Sequence, residues 1–168
     1  MQIPDDFILP DENIARLQKP EALRHEIEKG NTLQQIMGYS DELMDDTYEK
    51  AYLHFQNGSY DHALELFALL TTLNPYVYAY WLGFAMSCQF LEEYEQAILG
   101  YECASGVMPH VPMPYYYIAV CSVYLDEMDD AACNLLIAKT MCKPEQQFLE
   151  LKEKIQKLEE IVNKRKRS

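Results

Sequence analysis

The chain has 168 residues, enough for one domain with a buried core, and 27 acidic against 14 basic residues give it a net charge of −13. About half of the residues are hydrophobic, which excludes a wholly disordered chain, and no apolar run is long enough to span a membrane. The acidic balance makes nucleic acid a poor partner, because phosphate binding needs a basic face.

The cysteines and the first residues bear on the cellular compartment. Five cysteines form an odd number without a C-x-x-C pair, so we expect reduced, buried thiols and no disulfide framework. The start of the sequence lacks a basic stretch followed by an apolar run, so we expect no secretory signal. These features together predict a soluble, cytoplasmic protein.

Residues 1–43 differ in pattern from the rest of the chain and are interrupted by prolines. A short helix is predicted over 21–29, between Pro20 and Gly30. This segment has too few apolar residues to be a domain, so it packs on the rest of the chain, packs on a second subunit or stays loose. We expect it to be partly disordered and to mediate dimerisation through its apolar residues, which are Leu23, Ile27, Leu33, Ile36 and Met37.

Residues 44–145 carry an internal repeat with a period of 34 residues. Small residues recur at this period in two columns, Ala51, Ala85 and Ala119 and then Ala63, Ala97 and Ala131, and a larger side chain recurs at Phe67, Tyr101 and Leu135. A 34-residue period with this pattern is typical of the tetratricopeptide repeat, a hairpin of two helices that approach closely where the alanines lie. The sequence therefore predicts an all-α solenoid of three hairpins, over about 44–77, 78–111 and 112–145, against the alternative of an irregular helical bundle.

Turn and start signals fit these hairpins. Asn57 and Gly58 both tolerate a left-handed backbone and predict the turn of the first hairpin. Pro112 and Pro114 fall in the first turn of the third leading helix, where a missing N–H costs little. Pro144 closes the third unit one position later than the period requires.

Residues 146–168 are predicted to form a C-terminal helix and a basic tail. Apolar residues at spacings of three and four run along this helix, at Phe148, Leu151, Ile155, Leu158 and Val162. We interpret the helix as a cap over the last repeat, with a coiled-coil seam as the alternative. The run from Lys164 to Arg167 is interpreted as a frayed, solvated helix end, with contact to RNA or an anionic surface as the alternative.

The sequence offers no catalytic or cofactor chemistry. The four histidines are scattered without metal-ligand spacing, and His54 and His62 fall on different helices of one hairpin. Glycine-rich phosphate loops and recognised nucleophile motifs are missing from the sequence, and the acidic clusters around Glu92 and Asp126 fit solvated turns. We therefore predict a protein that is not an enzyme and that binds no metal or cofactor.

A second apolar stripe on the leading helices lies one position after the column of Ala51 and predicts a binding groove. Its residues are Tyr48, Tyr52, Phe55, Leu82, Met86, Gln89, Tyr116, Val120 and Val123. A helix that is apolar on two faces needs a partner for each face, so we expect this stripe to be covered by either the N-terminal segment or another polypeptide. We favour a client polypeptide, because solenoid concavities bind extended segments. We expect this client to be apolar, because no Lys or Arg falls on the stripe.

The first repeat resembles one known family. L-M-D-D-T-Y-E-K-A-Y over Leu43–Tyr52, followed by F-Q-N-G-S-Y over Phe55–Tyr60, is similar to the first repeat of the class II type III secretion chaperones. The resemblance covers about residues 20–150, and it extends to the three repeats, the short N-terminal helix and the acidic balance. The long charged C-terminal helix is not a hallmark of the family.

This resemblance implies a bacterial cytoplasmic chaperone that keeps hydrophobic translocator proteins soluble before export. It also implies that a short proline-containing client segment binds the concave groove, that Tyr48, Tyr52 and Phe55 belong to that groove, and that the chain forms homodimers through its N-terminal region. The alternatives are a general tetratricopeptide adaptor between cytoplasmic proteins and a chaperone for another type III secretion substrate.

Overall fold

The computed structural model describes residues 19–142 and 148–167, together with Phe7 and Ile14. Within these residues the chain is helical and has no strand, which confirms the predicted all-α class. The described helices are α1 (Pro20–Glu28), α2 (Leu33–Met37), α3 (Asp41–Gln56), α4 (Tyr60–Leu73), α5 (Tyr78–Phe90), α6 (Tyr94–Val107), α7 (Met113–Tyr124), α8 (Met128–Met141) and α9 (Leu149–Arg165). None of them is long and apolar enough to cross a membrane.

The helices α3 to α8 pack as three successive hairpins, each against the next. The first leading helix begins at Asp41, ahead of the predicted boundary at 44, because the Ser40 side chain caps it by accepting a hydrogen bond from the Leu43 N–H at 3.2 Å. The third leading helix begins at Met113 with Pro112 at its N-cap, as the prolines predicted. Pro144 lies outside the described residues.

The columns of alanine lie where paired helices meet. All six alanines of the two columns are fully buried, with 0% of their surface exposed. Between α5 and α6 the approach is closer still, since a Cβ on Gly100 would lie 2.8 Å from Phe84 Cδ1 and 2.9 Å from Ala85 Cβ. Small side chains therefore set the distance between helices, and the larger residues Phe67 and Tyr101 are buried beside them.

The buried apolar residues form three clusters along the chain. The first combines α3 and α4 with Tyr80, the second combines α5 and α6 with Ile118 and Cys121 of α7, and the third combines α7 and α8 with α9. Each cluster joins one hairpin to the element that follows it. The first cluster also contains Phe7. The core is thus divided among neighbouring units, as expected for a repeat protein.

The same position of each hairpin turn adopts a left-handed backbone. Gly58 has φ +77°, and its equivalents one and two periods later, Glu92 and Asp126, both have φ +62°. Asn57 has φ −83°, so Gly58 carries the left-handed turn of the first hairpin. Two of the three turns therefore hold a residue that is strained in this conformation.

Phe7 and the helix α2 pack on the first repeat. Phe7 is buried, its ring meets the Tyr39 ring edge-on at 5.0 Å, and its carbonyl accepts a hydrogen bond from the Tyr39 hydroxyl at 3.1 Å. The buried Gln34 of α2 donates to Asp41 at 2.8 Å and accepts from Asn74 at 2.9 Å, which ties α2 to both helices of the first hairpin.

The helix α9 caps the third repeat. Ile155, Leu158 and Val162 are buried in the cluster formed with α7 and α8, which favours the capping interpretation over a coiled-coil seam. The expectation of a frayed basic end is wrong for its last turn. The Arg165 guanidinium donates to the Val123 carbonyl at 3.1 Å, and Lys166 Nζ lies 2.6 Å from an Asp129 carboxylate oxygen. The acidic turn of the third hairpin thus pairs with the basic end of the chain.

The cysteines are all free, but not all are buried. Cys88, Cys121 and Cys142 are buried, as predicted, whereas Cys103 and Cys133 are exposed. The prediction of five buried thiols is therefore wrong for these two.

Candidate binding groove

An apolar pocket lies between the leading helices of the first two repeats. Five of the nine predicted stripe residues line it: Tyr48, Tyr52 and Phe55 from α3, with Leu82 and Met86 from α5. These residues share one face of each helix because they are spaced by four and three positions. The pocket has a volume of about 140 Å³.

Aromatic contacts fix the wall that α3 contributes. The Tyr48 ring stacks with Tyr52 at a centroid distance of 6.4 Å and meets Phe67 at 5.9 Å and Tyr80 at 5.8 Å. Phe55 packs edge-on against Phe90 at 5.4 Å. The wall is therefore held by side chains from three helices.

Four lining residues were not predicted from the stripe: Phe67, Tyr78, Ala79 and Gly83. Gly83 allows the Phe67 ring to approach α5 closely, since a Cβ at this position would overlap that ring. An isolated glycine in the middle of an apolar helix often marks a close approach, and this signal could have identified the position from the sequence.

The electrostatics of the pocket favour apolar ligands. Its lining contains no carboxylate, amine or imidazole group. Burial raises the pKa of Tyr48, with the neighbouring Tyr52 as a second cause, and burial alone raises the pKa of Tyr78. The Tyr48 and Tyr78 phenols therefore stay neutral at physiological pH, and the pocket can accept an apolar side chain without a charge to desolvate.

The other four predicted stripe residues do not line this pocket. Gln89 accepts a hydrogen bond from the Tyr101 hydroxyl at 2.6 Å, so its amide is engaged inside the second repeat. Val123 is buried in the cluster that α9 completes, and Val120 packs against the same cluster. Tyr116 lines a different cavity, next to the start of α9.

The five residues predicted for dimerisation lie in two environments. Ile36 is buried, and Leu33 and Met37 pack against the core of the first repeat. On α1, Leu23 is half-buried and Ile27 is 53% exposed. Within the described residues, α1 therefore offers the more accessible part of the predicted dimer surface.

The described residues hold no group of three or more His, Cys, Asp or Glu side chains placed to bind a metal ion. His54 and His62 lie on α3 and α4, as predicted, and their rings stack at 5.3 Å.

Comparison with known proteins shows similarity in sequence and fold to a group of bacterial proteins. A tetratricopeptide-repeat family model matches residues 35–77. The Low calcium response locus protein H of Yersinia pestis is 23% identical over 145 residues, which are 86% of this chain and 86% of the relative.

Two solved structures share the architecture. PcrH in complex with the chaperone-binding region of PopD superimposes with a TM-score of 0.73 at 26% identity, over 77% of this chain and 97% of PcrH. The type III secretion translocator chaperone SycD of Yersinia enterocolitica, in an alternative dimer, gives a TM-score of 0.72 at 24% identity, over 77% of this chain and 98% of SycD.

Proposed function

We propose, from the similarity of this chain to class II type III secretion translocator chaperones, that it binds hydrophobic translocator proteins in the bacterial cytoplasm and keeps them soluble for export. The observation that supports this most directly is the apolar, uncharged pocket between α3 and α5, which is open to an extended segment of another chain. The relative PcrH was solved with the chaperone-binding region of PopD.

The proposed mechanism is the masking of apolar client surface. A client side chain that is fully buried in such a pocket contributes about 1.5–3 kcal/mol. Several such contacts give micromolar or tighter binding after the segment has been ordered. No covalent step, metal or nucleotide is needed, because the protein acts by covering the client surface.

The client segment that we propose is short, extended and rich in apolar side chains, with a proline that favours the extended form. It lies along the leading helices on the face of Tyr48, Tyr52 and Phe55. An acidic side chain at this pocket is disfavoured, because the pocket lining offers no cation to pair with it.

We also propose that the protein forms a homodimer through its N-terminal region. The half-buried Leu23 and the exposed Ile27 give α1 an apolar side that the rest of this protomer leaves accessible. The relative SycD is described as a dimer.

Co-expression tests the proposed function. Each apolar translocator encoded in the secretion gene cluster of the source genome is produced with and without this chain, and the soluble fraction is measured. We expect the translocator to aggregate alone and to co-purify as a soluble complex with this chain. If the only proteins that bind are folded and soluble without it, the protein is an adaptor and the chaperone proposal fails.

A further inference from the structure

A second apolar cavity lies at the other end of the leading-helix surface, between α7 and the start of α9. Its volume is about 320 Å³. The walls come from Pro112, Met113, Tyr116 and Tyr117 on one side and from Phe148 and Leu151 on the other.

The α7 side of this cavity repeats the α5 side of the first pocket. Advancing Tyr78, Ala79, Leu82 and Gly83 by one period of 34 residues gives Pro112, Met113, Tyr116 and Tyr117. The buried partners correspond too: Phe67 lies against Gly83, and its equivalent Tyr101 stacks on Tyr117 at 5.4 Å. The two cavities therefore lie on equivalent faces of α5 and α7.

The helix α9 gives the second cavity a charge that the first pocket lacks. Lys154 lines it and pairs with Glu150 at 2.7 Å. The Glu150 side chain is 80% exposed, and such a solvated ion pair contributes little to stability. A carboxylate carried by a ligand could therefore replace Glu150 beside Lys154 at small cost.

We propose that this cavity is a second anchor site for the same client segment. It takes a large apolar side chain that has an aspartate or glutamate next to it, and this carboxylate pairs with Lys154. The inference rests on the proposed function, since it assumes that the client lies along the leading helices.

The geometry sets the length of client that both sites need. Two steps between leading helices of about 10 Å each separate the sites by about 20 Å. An extended chain covers this distance with about six residues. A segment with two apolar anchors about six residues apart, the second of them next to an acidic residue, therefore reaches both cavities.

The test uses fluorescein-labelled peptides of about sixteen residues that tile the translocator co-purified in the preceding experiment, with affinity measured by fluorescence anisotropy. Met113→Glu places a charge at the cavity mouth, where the side chain is 42% exposed. Because residue 113 begins α7, the new carboxylate suits the helix N-terminus and the fold is retained. The matched control is Leu136→Glu, at an apolar residue on α8 that is 60% exposed and lines neither cavity.

We expect Met113→Glu to weaken the tightest peptide by about tenfold or more, and Leu136→Glu to leave its affinity within about twofold. Lys154→Glu should lower the affinity for that peptide by about tenfold. The affinity for a version of the peptide with its acidic residue changed to the amide should not fall. A peptide shortened to the half that reaches the first pocket should bind wild type and Met113→Glu equally.

Two results would overturn the inference and leave the proposed function standing. One is unchanged peptide affinity in Met113→Glu while Met86→Glu abolishes binding. The other is a loss of self-association in Met113→Glu on sedimentation, which would make a second copy of the chain the occupant. If no peptide of any translocator binds wild type, the proposed function fails and the inference fails with it.

Discussion

Ala85 and Met86 are neighbours on α5 with different surroundings. Ala85 is fully buried against Gly100 of α6, whereas Met86 lines the first pocket. We expect Ala85→Leu to lower the free energy of unfolding by about 1–3 kcal/mol, since the added atoms collide with α6. Met86→Glu should leave stability near wild type and abolish client binding, because the charge must be desolvated beneath the client. Urea denaturation and peptide anisotropy measure the two effects.

The opposite outcome would show that the core face and the groove face of α5 have been assigned the wrong way round. If Met86→Glu unfolds the protein while Ala85→Leu changes nothing, the stripe belongs to the core and the groove residues must be reassigned.

Backbone strain at the left-handed turn residues should be relieved by glycine. Glu92 has φ +62° in the position that Gly58 occupies one period earlier. Glu92→Gly should raise the free energy of unfolding by up to about 1 kcal/mol, because glycine adopts this conformation without a Cβ clash. The control is the same change at the exposed, mid-helical Glu102, where glycine should lower stability by about 1 kcal/mol. If thermal or urea melts show that glycine changes the free energy of unfolding in the same direction at both positions, Glu92 is not strained.

Two buried thiols make the fold sensitive to alkaline pH. Burial raises the pKa of Cys88 and of Cys121 from 9.0 to about 12. Between these values the unfolded chain has released protons that the folded chain still binds, so stability is complete below about pH 9 and falls as the pH rises towards 12. Each thiol lowers the unfolding free energy by at most about 1.4 kcal/mol per pH unit.

Urea melts from pH 8 upward measure this slope, and Cys88→Ala should make it shallower. At neutral pH a thiol reagent should modify the exposed Cys103 and Cys133 and spare Cys88 and Cys121 until the protein unfolds. Rapid modification of all five cysteines in the folded state would contradict the burial.

At the scale of elements, α9 is attached to the third repeat by apolar burial and by charge. Ile155 is buried, whereas the Lys166–Asp129 pair is exposed on its acidic side. Ile155→Ala should lower the unfolding free energy by about 2–5 kcal/mol and Lys166→Ala by less than about 1 kcal/mol. A larger effect of Lys166→Ala, abolished by high salt in denaturation curves, would show that charge attaches the helix.

The elements show what the sequence could predict. The period of 34 residues predicted the hairpins, because alanine in one column requires close helices and the structure buries each of those alanines. The stripe placed Tyr48, Leu82 and Met86 together correctly, since spacing alone determines a helix face.

The third repeat could not be predicted as well. Val123 obeys the same spacing, but α9 covers it, and a repeat pattern does not show which face a following helix takes. The ion pair of Lys166 with Asp129 joins residues distant in sequence, so the basic run by itself could not predict that this exposed end is paired and not frayed. For Gly83, the sequence signals a close approach by an isolated glycine in an apolar helix, but it does not show that the Phe67 ring of another helix is the neighbour.

At the scale of the whole molecule, the accessible apolar side of α1 predicts a homodimer. A single charged substitution on that side should dissociate it. Ile27→Lys should shift sedimentation from dimer to monomer, because the lysine must be desolvated at the interface. Leu136→Lys, at an exposed leucine on α8, is the control and should leave the dimer intact. A wild-type protein that sediments as a monomer throughout the micromolar range would contradict the dimer.

The division of the core into three clusters has a consequence for how the protein would respond to the client proposed above. Each cluster joins only neighbouring elements, and direct contact between successive leading helices is sparse, so the free protein is expected to open from its ends in separate stages. A segment lying along the leading helices would join successive units whose leading helices touch each other only sparsely. If the proposed function holds, binding of the client would turn a stepwise unfolding transition into a single cooperative one, and its release would return the protein to a looser, more easily degraded form.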